Sequence, residues 1–181
     1  MLNKAVRMYG QNDLRLDTFE LPEIKDDEIL VKVISDSICM SSYKAALQGS
    51  NHKRVPDNIS EHPAIIGHEF CGLIEKVGAK WADKFTVGEK FTIQPAISYK
   101  DTLMTPGYAF EYCGGDSQHA ILLPEIMEQD CLLDYKAKEF FYGSLSEPLS
   151  CIIGTFHAQY HTKPGCYVHE MGIREGGNMA I

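Results

Sequence analysis

The protein is a chain of 181 residues, of which 44% are hydrophobic and 23% are charged, with a formal net charge of −8. This composition is typical of a globular protein with enough apolar material for a sizeable core. The net negative charge repels the phosphate backbone of a nucleic acid, and the longest run of consecutive basic residues is Lys53-Arg54. We therefore expect no nucleic-acid partner. No apolar window approaches the roughly 18 to 20 residues of a membrane helix, and residues 1–10 lack the apolar centre of a secretory signal. We therefore expect no membrane partner and a cytoplasmic location.

Strands dominate the predicted elements, so the expected fold class is mainly β with short helices. Residues 4–10, 13–23 and 28–37 are rich in apolar positions and are separated by polar ends, as in an antiparallel meander. A second β-rich stretch covers residues 64–93. Its short apolar runs are separated by Gly67, Gly72, Gly78 and Gly88. This spacing suits a small, strongly bent barrel.

Helices and loops are predicted for the rest of the chain. Residues 39–58 begin as a short helix and continue as a polar loop. Residues 96–125 show no dependable period until a final strand, so most of them are predicted to form a long loop or lobe. Residues 139–159 are helical in pattern, with an interruption at Glu147-Pro148. Residues 178–181 resemble the opening of a buried strand that has no partner within the chain.

Two short segments contain the residue types of a metal site. Gly67-His68-Glu69 places an imidazole beside a carboxylate. Taken alone, these residues fit two interpretations equally well. One is a metal or acid–base site, and the other is a half-buried histidine beside a solvated glutamate. Cys39 follows a predicted strand, and a lone cysteine is usually a small buried hydrophobe. Together, Cys39, His68 and Glu147 would supply a thiolate, an imidazole and a carboxylate and leave a fourth tetrahedral position open, as catalytic zinc requires.

The chain resembles the zinc-containing medium-chain dehydrogenase/reductase superfamily, in its sorbitol dehydrogenase-like branch, over its whole length. The zinc motif of that family begins Gly-His-Glu and continues with a glycine three residues after the glutamate and another six further on. Residues 67–78, GHEFCGLIEKVG, match this pattern, whereas Trp81 stands where the family has a small aliphatic residue. Further matches are Cys39 after the third strand, residues 88–91, residues 114–124 and residues 147–150.

The resemblance implies a fold and a domain arrangement. Residues 1–150 are expected to form a GroES-like bent β-barrel, which is the zinc-binding catalytic domain. Residues 151–181 are expected to form a connecting helix and the start of a Rossmann cofactor domain, so the chain would be the N-terminal portion of a longer enzyme, truncated before that domain. The Gly-x-Gly-x-x-Gly turn that binds a dinucleotide does not occur in this sequence.

The resemblance also implies a zinc ligand set. Zinc is expected to be bound by Cys39 and His68, with Glu69 as the third ligand or an exchangeable neighbour. Glu147 is expected close enough to bind directly or through water, and the sequence does not rank the two glutamates. A bend at Gly67 would allow adjacent side chains to reach one metal, which a regular strand would not.

A proton relay is implied beside the metal. Ser41 matches the position of a hydroxyl that passes the substrate proton outward in the family, although it also suits a cap for the helix that follows. Lys44 stands where the family often has a histidine, so the sequence does not identify the residue at the outer end of the proton relay. Glu69 and Glu147 complete the residues expected at the reacting centre.

A second, structural zinc is not expected. Many relatives hold one with four closely spaced cysteines, whereas residues 91–115 contain only Cys113. The lobe is expected to be held by aromatic packing of Tyr99, Tyr108, Phe110 and Tyr112. Thiols expected to be packing residues are Cys71, Cys131, Cys151 and Cys166. Histidines expected at the surface or in hydrogen bonds are His52, His62, His119, His157, His161 and His169.

The implied function is a zinc-dependent oxidoreductase that interconverts a polyol or sugar alcohol, phosphorylated or not, and its ketose, with NAD or NADP. The parent enzyme is expected to be a homo-oligomer, and these residues alone are expected to be inactive because nothing in them binds the hydride acceptor. The alternative is a non-catalytic GroES-like binding or assembly module, which would not need the zinc ligands. If the substrate carries a phosphate, Lys44, Lys53 and Arg54 are the nearest cations in sequence, and each is also explained as a solvated surface charge.

Overall fold

In the computed structural model the described residues are 1–158, and they belong to two compact units. The first unit is Met1–Leu145, and the second begins at Ser146. The predicted strand at residues 178–181 lies outside the described residues, as do His161, Cys166 and His169. None of the described helices is long and apolar enough to cross a membrane.

Strands form most of the regular structure of the first unit. They are β1 (Leu2–Gly10), β2 (Asp13–Glu20), β3 (Ile29–Asp36), β4 (Ala64–Ile65), β5 (Phe70–Val77), β6 (Lys90–Ile93), β7 (His119–Leu122) and β8 (Leu132–Asp134). The helices are α1 (Met40–Gln48), α2 (Pro124–Glu128), α3 (Phe140–Ser144) and, in the second unit, α4 (Ser146–Ala158). Short 3-10 helices occur at Gly49–Asn51 and Ala79–Trp81. The fold is mainly β with short helices, as predicted.

The strands form two antiparallel sheets, one of order β2-β1-β4 and one of order β7-β3-β5-β6-β8. β1 and β2 form a hairpin, but β3 pairs with β5 and β7, so the predicted meander is wrong after its second strand. Burial explains the difference. Ile29 and Val31 of β3 are fully buried, whereas Leu14 and Leu16 of β2 are exposed and offer β3 no apolar face.

The predicted lobe between β6 and β7 contains turns and isolated bridges but no named helix or strand. Tyr99 packs edge-on against Phe110, with ring centroids 4.9 Å apart, which is the aromatic packing expected there. Tyr112 lies against Phe19 of β2 instead, at 6.3 Å. Tyr108 packs elsewhere, in a second apolar cluster that contains Met8 and Ala45. The lobe is therefore fixed by contacts to two different parts of the unit.

The helical pattern of residues 139–159 is divided between α3 and α4. α3 ends at Ser144, and Pro148 lies in the first turn of α4, where the missing N–H group has no intrahelical partner to lose. The interruption predicted at Glu147-Pro148 thus falls just before these residues. The second unit therefore begins with α4.

The main apolar core lies against the five-stranded sheet. Phe70 and Phe91 are fully buried there, and their rings meet edge to face with centroids 6.0 Å apart. Gly72 lies on the same strand as Phe70, paired with Val33 on one side and with Phe91 on the other. A Cβ added to Gly72 would lie 1.9 Å from the carbonyl oxygen of Lys32. The β3–β5 pairing therefore requires glycine at this position.

Gly72→Ala is expected to destabilise the protein by about 1–3 kcal/mol or more, because a backbone carbonyl cannot move aside as a side chain can. Gly10→Ala is the matched control, since a Cβ at Gly10 meets nothing within 4 Å. Urea unfolding followed by circular dichroism measures both variants. Equal stability of the two variants would contradict the close approach of β3 and β5.

Candidate metal centre

The two segments with metal-binding residue types meet because β3 and β5 are antiparallel neighbours. Asp36, the last residue of β3, pairs with Phe70, the first residue of β5. The chain after β3 therefore emerges beside the chain before β5, which places Cys39 next to the turn that contains His68. The backbone bends at Gly67, where φ is 88°, a conformation that glycine adopts without strain. This bend is the one that the sequence required.

Cys39, His68 and Glu69 converge in this corner. The thiol sulfur, an imidazole nitrogen and a carboxylate oxygen all lie within 4.8 Å of one another. His68 and Glu69 are buried, with 5% and 4% of their surface exposed, and Cys39 is half-buried. In the part of the chain that the structure describes, no other group of three Cys, His, Asp or Glu side chains converges in this way.

The chemistry of these three donors fits zinc. Thiolate, imidazole and carboxylate are the ligand types that zinc accepts, and three protein ligands leave one tetrahedral position for a substrate or water. Burial lowers the pKa of His68, an effect that Glu69 opposes and Arg54 reinforces. The imidazole is therefore neutral at neutral pH and keeps a lone pair for a metal. The buried carboxylate of Glu69 is costly without a positive partner, which a divalent cation would supply.

Hydroxyl groups surround the imidazole and the thiol. Ser41 Oγ donates to Cys39 Sγ at 2.9 Å and lies 3.4 Å from His68 Nε2. On the other side of the ring, Ser42 Oγ lies 3.3 Å from His68 Nδ1. Cys39, and not Ser41, is the residue that precedes the first turn of α1, so Ser41 does not cap this helix. Its hydroxyl instead contacts two of the three donors of the centre.

Tyr108 is a residue of the centre that the sequence did not indicate. Its hydroxyl donates to Ser41 Oγ at 2.6 Å, and its ring stacks on His68 with centroids 4.9 Å apart. The sequence predicted Tyr108 as a packing residue of the lobe. The available signal was the Pro-Gly turn just before it, because Gly107 packs so closely that a Cβ there would overlap the carbonyl oxygen of Gly67. Lys44, the other relay position, is exposed on α1.

Glu69 is held in place by the end of β3. Ser37 Oγ donates to Glu69 Oε2, and the backbone N–H of Glu69 donates to Asp36 Oδ1 at 3.0 Å. These contacts fix both the carboxylate and the backbone of Glu69, so its side chain has little freedom to leave the corner. Neither Ser37 nor Asp36 was among the predicted site residues.

A buried pair of carboxyl groups lies behind the corner. Within the described residues, Asp36 Oδ2 has no hydrogen-bond donor, and it lies where a Cβ at Gly67 or Gly115 would overlap it. Burial, and then the charge of Asp116, raise the pKa of Asp36 to about 8, and burial raises the pKa of Asp116 as well. Both shifts favour a protonated carboxyl group in this pair at neutral pH.

Glu147 belongs to the second unit. It lies in the first turn of α4, where its Oε1 accepts a hydrogen bond from Cys151 Sγ at 3.4 Å. The group formed by Cys39, His68 and Glu69 is contained in the first unit, so its three donors converge without Glu147.

The other cysteines and histidines of the first unit lie in ordinary packing or polar contacts. Cys113 is fully buried in the main core, and burial raises the pKa of its thiol to about 12. Cys71 is also buried, and its thiol pKa is raised to about 11 for the same reason. His119 lies 3.2 Å from Glu75, and His62 lies 3.4 Å from Glu111. The absence of a structural zinc remains a prediction.

Asp116→Asn is expected to change how stability depends on pH. Unfolded aspartates titrate near pH 4, about four units below folded Asp36, so between these values the folded pair binds one proton more than the unfolded chain. Stability is therefore highest below the unfolded pKa and falls as pH rises towards the folded pKa. The variant loses the contribution of Asp116 and keeps that of burial, so its stability should fall less steeply with rising pH than that of the wild type across this range.

Urea unfolding at several pH values in a metal chelator measures this effect. Asp57→Asn, at an exposed carboxyl group, is the control. Parallel stability curves for the wild type and Asp116→Asn would show that Asp116 does not raise the pKa of Asp36.

Comparisons with known proteins agree with the architecture. Residues 25–128 match the alcohol dehydrogenase GroES-like domain. The chain is 51% identical over 98% of its length to L-sorbose 1-phosphate reductase of Klebsiella pneumoniae, and 49% identical over 98% to mannitol-1-phosphate 5-dehydrogenase of Aliivibrio fischeri. It covers 43% and 42% of these relatives, so it spans less than half of their length.

A solved structure supports the fold independently. The cobalt- and zinc-bound thermostable alcohol dehydrogenase of Pyrobaculum aerophilum superimposes with a TM-score of 0.64 at 15% identity, over 89% of this chain and 48% of that one. This likeness shows the fold alone, because the identity is low. The predicted resemblance and the GroES-like fold class are both confirmed. The chain belongs to the family of the alcohol dehydrogenase GroES-like domain.

Proposed function

We propose that this chain is the metal-binding catalytic part of a zinc-dependent oxidoreductase that interconverts a phosphorylated polyol and its ketose with NAD or NADP. The observation that carries the proposal is the convergence of Cys39, His68 and Glu69 in one buried corner. The two relatives named above support the substrate class, since both names specify a sugar or polyol phosphate.

Zinc is assigned to Cys39, His68 and Glu69. Glu69 is favoured over Glu147 as the direct third ligand, because its carboxylate already lies with the other two donors and is held there by Ser37. Binding by Glu147, directly or through water, stays a prediction from the sequence. A zinc ion bound in this way supplies Lewis-acid chemistry, which lowers the pKa of an alcohol or polarises a ketone.

The remaining residues hold the substrate and its proton in place. Ser41 Oγ, which accepts a hydrogen bond from the Tyr108 hydroxyl and lies beside Cys39 Sγ and His68 Nε2, is placed to form a hydrogen bond with the substrate hydroxyl. Ser42 fixes the His68 ring from its other side. The burial of His68 and Glu69 excludes water from the back of the centre.

The hydride acceptor is assigned to a part of the parent protein outside these 181 residues. The Gly-x-Gly-x-x-Gly turn that holds a dinucleotide pyrophosphate is not in the sequence, and the chain covers less than half of the relatives' length. The residues described here therefore prepare the alcohol for oxidation and carry no nicotinamide site of their own.

Cys39→Ser is expected to remove most of the bound zinc, because a hydroxyl replaces the thiolate ligand. The wild type should hold about one zinc ion per chain. Cys151→Ser, at an exposed cysteine, is the matched control and should keep it. Elemental analysis of the purified proteins gives the stoichiometry. A wild type without zinc would favour a non-catalytic GroES-like module, and two zinc ions per chain would contradict a single centre.

The 181-residue chain loaded with zinc is expected to show no turnover of L-sorbose 1-phosphate with NADH or NADPH, because it lacks a dinucleotide site. Absorbance at the nicotinamide band measures the rate. Oxidation of either cofactor that depends on Cys39 would contradict the assignment of cofactor binding to another part of the parent protein.

A further inference from the structure

Arg54 lies beside the candidate metal centre although it is not one of its ligands. Its guanidinium carbon is 5.6 Å from the centroid of the Tyr108 ring, and its Nη1 donates to Thr105 Oγ1 at 3.3 Å. Tyr108 and Thr105 are both buried. The side chain of Arg54 is therefore directed along the wall of the site and is not simply extended into solvent.

Arg54 and His68 both contact the ring of Tyr108. His68 stacks on this ring at 4.9 Å, while the tyrosine hydroxyl is bonded to Ser41. His52 stacks on the same ring at 5.7 Å, and its Nδ1 accepts the backbone N–H of Arg54 at 3.3 Å. The guanidinium group and one of the three donors therefore contact the same tyrosine ring.

Arg54 has no acidic partner in residues 1–158. Arg7 lies 3.8 Å from Glu111, and Arg15 lies 2.7 Å from Asp13, whereas no carboxylate lies within ion-pair distance of Arg54. A half-buried guanidinium group without a counter-ion is unfavourable, because it has lost part of its hydration without a compensating charge. An anion bound at Arg54 would remove this imbalance.

We propose that Arg54 binds the phosphate group of the substrate and so determines its specificity, an inference that rests on the proposed function of the neighbouring centre. A guanidinium group presents several N–H donors in one plane and matches the oxygens of a phosphate monoester. Lys44 and Lys53, the other two cations near this segment, are exposed, whereas Arg54 is half-buried.

Arg54→Gln is expected to weaken binding of L-sorbose 1-phosphate to the zinc-loaded chain by about 10- to 100-fold, because a charge-assisted hydrogen bond is lost. Binding of L-sorbose, which lacks the phosphate, should be unchanged. Lys53→Gln is the matched control, since it removes one positive charge from the adjacent exposed residue. Isothermal titration calorimetry measures all of these affinities. Equal losses in the two variants, or a wild type that binds both sugars equally, would overturn the proposal.

A second measurement uses only the wild-type protein, so it does not depend on the folding of a variant. Inorganic phosphate added to the wild type should shift the NMR resonance of the Arg54 Nε–H group, and chloride at equal ionic strength should not. An unchanged Arg54 resonance would overturn the proposal.

The two proposals can fail separately. Arg54-dependent phosphate binding by a chain that holds no zinc would refute the metal centre and keep the phosphate site. Zinc bound through Cys39, with phosphate affinity independent of Arg54, would refute the phosphate site alone.

Discussion

The pairing of β3 with β5 is the constraint on which the centre depends. It brings the end of one strand to the start of the other, so Cys39 and His68 meet although 28 residues lie between them in the sequence. Gly72 permits the close approach of the strands, and Gly67 bends the backbone so that adjacent side chains share one corner. The sheet therefore determines where the candidate metal ligands meet, and α1 and the lobe supply the neighbouring hydroxyl groups of Ser41 and Tyr108.

The corner that contains Cys39, His68 and Glu69 also contains polar groups whose burial is energetically unfavourable. Glu69 and Asp36 are both carboxyl groups in an apolar unit, and they are connected through the backbone N–H of Glu69. The structure stabilises them in different ways. The pKa of Asp36 is raised by burial and by Asp116, which favours its neutral form, whereas Glu69 has a hydroxyl donor from Ser37 and two further candidate metal ligands beside it. Such an arrangement is unfavourable for stability alone and is typical of a functional site.

Much of the fold and the donor set could be predicted from the sequence, because local patterns and residue types carry that information. The alternating apolar positions of β1 and β3 and the Gly-His-Glu motif are such signals. The pairing of β3 with β5 was missed because partners depend on burial across the whole sheet. Tyr108 and Asp116 were missed for a similar reason, since each reaches the centre from a loop far away in sequence and has no motif of its own.

The central claim is that one mixed sulfur, nitrogen and oxygen centre binds zinc in this domain. X-ray absorption at the zinc edge of the metal-loaded protein tests this most directly, because it counts ligands by type. The expected spectrum has one sulfur at about 2.3 Å and the remaining nitrogen and oxygen ligands at about 2.0–2.2 Å. A shell of four sulfur atoms, or one without sulfur, would contradict a centre formed by Cys39, His68 and Glu69.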